Sequence, residues 1–120
     1  VGSEMCIRDR DKTIFYVELY QLPPVRFQLQ ETRTSATVFS YRKFADLDKS
    51  ERVSACYQHA CLKYVSNEKM SNQSLRARLG IEDKNYPMAS RIIRDTLKAK
   101  WIKEENSEGS NRHNYIPYWA

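Results

Sequence analysis

A glycine and a proline separated by a short polar stretch constrain this chain more than any other feature. They are Gly80 and Pro87, within residues 71–101, SNQSLRARLGIEDKNYPMASRIIRDTLKAKW. Ser71 offers the side-chain oxygen of an N-cap, Leu75 and Leu79 lie one helical turn apart, and Gly80 falls where a left-handed residue closes a helix. Proline in a first turn costs little, because that N–H has no intrahelical partner, so a second helix is expected to start near Pro87. On a wheel of about 100° per residue, Met88, Ala89, Ile92, Ile93, Thr96 and Ala99 share one side, with Leu97 at its margin. The other side carries Ser90, Arg91, Arg94 and Lys98. Two short helices around a tight turn are the pattern of a helix-turn-helix, and a stripe of donors on the second helix suits a major groove. A solvated face is the simpler reading of any single basic stripe, so the flanking chain has to decide.

After the second helix come Trp101-Ile102-Lys103, a polar loop over 104–114 containing Gly109, and Tyr115-Ile116-Pro117-Tyr118-Trp119. Two aromatic and aliphatic ends around a Gly/Asn/Ser loop predict a β-hairpin. A helix-turn-helix followed by such a hairpin is a winged helix, with the loop as the wing. Arg112 and His113 would sit on it, within reach of phosphates or a minor groove. Upstream, Asp48 or Ser50 is expected to cap a helix running to Asn67, with Val53, Cys56, Tyr57, Ala60, Cys61 and Tyr64 in one arc. That is the third helix of the unit. The expected fold class is α+β: a three-helix winged helix-turn-helix with a C-terminal β-hairpin wing over 45–120.

The preceding residues read as the tail of an upstream domain, 11–44. In DKTIFYVELYQLPP, Phe15 and Leu19 suit a helix while Phe15, Val17 and Leu19 also alternate; the prolines at 23 and 24 favour a helix that they stop. Val25, Phe27 and Leu29 then alternate with Arg26, Gln28 and Gln30, predicting a strand, with a turn over 31–35 and a returning strand over 37–41. Residues 1–10, VGSEMCIRDR, resemble translated read-through of a sequencing adapter and are set aside as an artefact. On that reading the chain is the C-terminal end of a longer protein.

Charge and composition narrow the function. The formal net charge of +5 permits nucleic-acid binding, and no apolar run approaches the ~18 residues of a membrane span. The cysteines, Cys6, Cys56 and Cys61, are odd in number and form no CxxC pair, which suits free thiols in the cytoplasm. Cys56, His59 and Cys61 fall close together in sequence, but on a wheel Cys61 lies more than a third of a turn from the other two. Two core cysteines and an exposed histidine are therefore expected, and no metal site. The only glycines are Gly2, Gly80 and Gly109, so no phosphate-binding loop or nucleophile elbow can be built, and no catalytic centre is expected. Tyr115, Tyr118 and Trp119 are suited to stacking on single-stranded bases, but their place in a terminal strand favours core packing.

These residues predict a DNA-binding module without catalysis. Arg91, Arg94 and Lys98 would face the groove of duplex DNA, with Ser90 on bases or phosphate. Ser71, Asn72 and Gln73, at a helix start whose dipole favours an anion, would approach the backbone, with Arg76, Arg112 and His113 as further contacts. A protein-interaction or dimerisation module is the alternative, with the basic face on an acidic partner or in solvent.

ACYQHACLKYVSNEKMSNQSLRARLGIEDKNYPMASRIIRDTLKAKWIK, closing on NYIPYWA, resembles the C-terminal end of bacterial ATP-binding regulators of the RecG-related type. In that family a Schlafen-type, AlbA-like domain precedes an ATPase-like domain and then a winged helix. The resemblance covers roughly residues 11–120 and is most specific at 55–65, 71–80 and 89–95. DKTIFYVELYQLPPVRFQ is similar to the last helix and proline-led strand of the ATPase-like domain. The resemblance implies DNA-linked transcription regulation, ATP as a ligand of the longer parent, and homo-oligomers formed through it. The family's glycine-rich segment is missing here, so no cofactor is expected of this stretch.

Overall fold

Caps decide where the helices of this chain begin and end. The computed structural model describes residues 12–24, 26–29, 34–38, 43–105 and 113–120. Helix α1 covers 12–19, followed by strands β1 (Arg26–Leu29) and β2 (Thr34–Thr37), helices α2 (Lys49–Val65), α3 (Asn72–Leu79) and α4 (Tyr86–Lys98), and strands β3 (Ile102–Glu105) and β4 (Asn114–Pro117). Asp48 accepts from the Glu51 N–H at 2.8 Å while Glu51 accepts from the Asp48 N–H at 3.5 Å, a reciprocal capping box on α2. Ser71 and Ser74 build the same device on α3: the Ser74 N–H donates to Ser71 Oγ and the Ser71 N–H to Ser74 Oγ. Pro87 lies in the first turn of α4, as expected. Each helix is followed by a left-handed residue, Gln21, Asn67, Gly80 or Lys100, which lets the next amides reach back to the last free carbonyls. After α4, for example, the Lys100 N–H donates to the Leu97 carbonyl and the Trp101 N–H to that of Thr96.

The three helices α2, α3 and α4 enclose one core. Ala55, Cys56 and Ala60 give α2 a face small enough for close approach, and Leu75, Leu79, Ala89, Ile92, Ile93 and Ile102 fill the space against it. Met70, on the link between α2 and α3, is fully buried, as is Leu75; each contributes about 1.5–3 kcal/mol by burial. Strands β3 and β4 pair antiparallel, Ile102 opposite Pro117 and Glu105 opposite Asn114. The hairpin is tied to the helices by a bridge: the Tyr115 N–H donates to the Met70 carbonyl at 2.8 Å, and the Met70 N–H to the Tyr115 carbonyl at 3.3 Å. The result is a mixed α+β arrangement. No helix among the described residues is long and apolar enough to cross a membrane.

Several expectations are corrected. The returning strand runs over Thr34–Thr37, earlier than the expected 37–41, because β1 pairs with it from Arg26 opposite Thr37 to Leu29 opposite Thr34; residues 39–42 lie outside the described residues. His59 is buried instead of exposed, and Cys61 is only half-buried while Cys56 is fully enclosed. The cause is a second partner for α2 that a helical wheel cannot anticipate. Helix α1 docks there, with Glu18 accepting from His59 Nδ1 at 2.9 Å and lying 3.2 Å from Arg78 Nε of α3. Met88 is exposed because it borders a cleft beside the start of α2, and Ala99 because it lies past the last turn of α4. Tyr118 and Trp119 are half exposed instead of packed in the core, since the ladder ends at Pro117 and the chain turns there.

Candidate nucleic-acid interface

Residues distant in sequence meet in one open groove of about 710 Å³ between the start of α3, the outer face of α4 and the beginning of β4. Ser71, Asn72, Gln73, Arg76, Ser90, Arg94 and His113 all line it, together with Tyr86, Ile93, Leu97, Asn114 and Tyr115. The capping box positions the first turn of α3, and Gly80, with φ of 70°, turns the chain so that α4 returns alongside.

The polar residues of the groove divide into braces and free cations. Asn72 is a brace: its Nδ2 donates to Ser90 Oγ at 2.9 Å and to the Tyr86 carbonyl at 3.2 Å, while its Oδ1 accepts from Arg76 Nε at 2.7 Å. Arg76 also reaches Asp83, beyond the turn, with Nη1 at 2.5 Å. Those contacts join α3, the turn and α4 into one rigid element, so Asn72, Arg76 and Ser90 shape the groove from within. His113 pairs with Glu104 at the Glu105–Asn114 end of the ladder. Tyr115 keeps its phenolic proton more firmly than an ordinary tyrosine, because burial, Glu104 and Cys56 all disfavour the phenolate.

Arg91, Arg94 and Lys98 are different. All three are exposed on α4, and none has an ion pair among the described residues. Arg94 faces the groove. Arg91 lies on the far side of the same arc, in a cleft shared with Lys49, Arg52 and Met88. Arg52 is held there with its guanidinium 4.2 Å from the centre of the Phe44 ring. Asp95 lines the same cleft and pairs with Lys49 at 4.0 Å, so the unpaired positive charge is that of α4 itself. Arg112 lies outside the described residues. Sequence reasoning missed Tyr86 and Lys49; Tyr86 directly precedes Pro87, so its place in the first turn of α4 could have flagged it.

Comparison with protein-family models, with characterised proteins and with solved structures finds no match to this chain.

Proposed function

We propose that the chain is a winged helix-turn-helix module that binds duplex DNA, with α4 as the helix that enters the major groove and the β3–β4 hairpin as the wing. One observation carries this reading: three cations on α4, Arg91, Arg94 and Lys98, are exposed without ion-pair partners among the described residues, and Arg94 lines the groove that the start of α3 opens onto. The Met70–Tyr115 bridge supports it, since it draws the hairpin against the helices on the side where a wing would meet the backbone. On this reading residues 45–120 form the DNA-binding unit and the preceding residues belong to an upstream part, in keeping with the resemblance to RecG-related regulators.

The test is a fluorescence-anisotropy titration of the 120-residue chain with duplex DNA at several salt concentrations, beside an Arg91→Glu/Arg94→Glu variant. Binding should weaken as salt rises, with log K falling by about 0.9 per log unit of salt for each phosphate contacted. The variant should lose most of that affinity while keeping its helical circular dichroism. Failure of the folded wild-type chain to bind at low salt would overturn the reading in favour of a protein-interaction module.

A further inference from the structure

The face of the molecule formed by α2, the residue before β3 and the chain beyond β4 carries an aromatic cluster that duplex binding does not use. Tyr57 and Trp101 lie with ring centres 5.1 Å apart, Tyr118 sits 6.1 Å from Trp101 and 6.3 Å from Tyr57, and Trp119 meets Tyr64 edge-on at 5.4 Å. The cluster is built, not frayed: Trp119 Nε1 donates to Tyr57 Oη at 3.1 Å, and the Tyr118 N–H donates to the Trp101 carbonyl at 3.0 Å. Even so, Trp101, Tyr118 and Trp119 remain 46%, 53% and 48% exposed. Large aromatic rings held in place yet half in water mark a binding surface.

Beside the rings runs an open groove of about 660 Å³, with Tyr57 and Trp101 in its wall, Val53 and Ala99 as apolar lining, and Lys49 paired to Asp95 at one side. Lys100 directly precedes Trp101 and Lys103 follows it on the exposed side of β3, both without ion pairs among the described residues. Aromatic faces bordered by cations fit a ligand that alternates flat rings with negative charges. We propose that this shelf binds a single-stranded nucleic-acid segment, stacking unpaired bases on Trp101 and Tyr118 while the lysines meet its phosphates. The site lies beyond the duplex reading and does not require it. Should both hold, Arg91 lies between the two, since its cleft shares Lys49, Val53 and Asp95 with the groove of the shelf.

The chain's two tryptophans, Trp101 and Trp119, both belong to the cluster, so tryptophan emission, excited where tyrosine does not absorb, reports on this shelf. Titration of the full chain with a short oligothymidylate should quench that emission saturably. Tyr118→Leu should weaken binding roughly tenfold, and Tyr118→Phe, which keeps the ring, should leave it near wild type. The proposal is overturned if the oligonucleotide does not bind, if it binds with unchanged emission, or if Phe and Leu at 118 weaken it equally. It is also overturned if sedimentation shows a dimer of the chain that Tyr118→Leu dissociates. The duplex titration run in parallel separates the two readings, because each can fail while the other's signal remains.

Discussion

Cys56 and His59 are three positions apart on α2, and both are buried, but by different neighbours. His59 is enclosed by Glu18 and by Ser74 Oγ, 3.1 Å from its Nε2, so each ring nitrogen has a polar partner. Cys56 lies about one turn earlier on the same side of the helix, turned towards the core, with its Sγ 3.9 Å from Met70 Sδ. Burial pushes its thiol from 9.0 up to about 12, an effect only partly offset by a hydrogen bond with Thr96. The folded protein therefore holds this proton at pH values where the unfolded chain has released it. The associated stability is complete below about pH 9 and is lost as pH rises towards 12, by up to ~1.4 kcal/mol per pH unit. Urea unfolding across that range should show a steeper alkaline loss for the wild type than for Cys56→Ala, which starts lower by a constant cavity term. Parallel curves would mean that the thiol is not insulated as the structure shows.

At the scale of elements, the helix ends separate what is legible in the sequence from what is not. Gly80 announces itself, because its φ of 70° is a conformation that L side chains rarely adopt. Lys100, at φ of 62°, occupies the same conformation with no signal in its side chain. It is held there by the turn that passes α4 into β3. Opposite substitutions should thus have opposite signs. Gly80→Ala should lower stability by about 1 kcal/mol, and by little more, since the added Cβ meets only Gln21 Oε1 at 3.6 Å. Lys100→Gly should raise stability by up to about 1 kcal/mol as that strain is relieved. Chemical denaturation of both variants checks the pair, and a loss in Lys100→Gly would show that this lysine makes a compensating contact. The same distinction runs through the fold. Asp48, Ser71, Gly80 and Pro87 mark boundaries by local chemistry, and the period of α4 finds Ala89, Ile92, Ile93 and Thr96 in the core. The groove was half legible: spacing brought Ser90 and Arg94 to one face, but that Asn72 would be spent bracing Ser90 depends on how α3 and α4 cross. The Met70–Tyr115 bridge and the burial of His59 come from partners 45 and 41 residues distant, which no local period encodes.

For the whole molecule, the weakest seam is the one between α1 and the helical unit. Val17 is buried and Gln21 Nε2 donates to the Ala77 carbonyl at 3.0 Å, yet Phe15, Tyr16, Leu19 and Tyr20 are all more than half exposed. The attachment is therefore narrow and largely polar. Its centre is Arg78, whose side chain is 4% exposed, with Nη2 donating to the Leu22 carbonyl at 2.7 Å and Nε beside Glu18. Burial lowers the guanidinium's pKa, and Glu18 counters that effect. Removing the carboxylate by Glu18→Ala strands a buried cation, a change that costs about 3–5 kcal/mol where the surroundings cannot move. Here they can move. If α1 lifts away, Arg78 and His59 regain water, so the cost cannot exceed the free energy that docks α1. Hydrogen exchange on Glu18→Ala should accordingly show protection lost from the amides of α1 and kept in α2, α3 and α4. Adding Arg78→Leu should restore part of that protection, since it removes the stranded charge but also gives up the bond to the Leu22 carbonyl. Loss of protection throughout the chain in Glu18→Ala would instead make α1 part of the same cooperative unit, and the boundary near residue 45 would then fall inside a single domain.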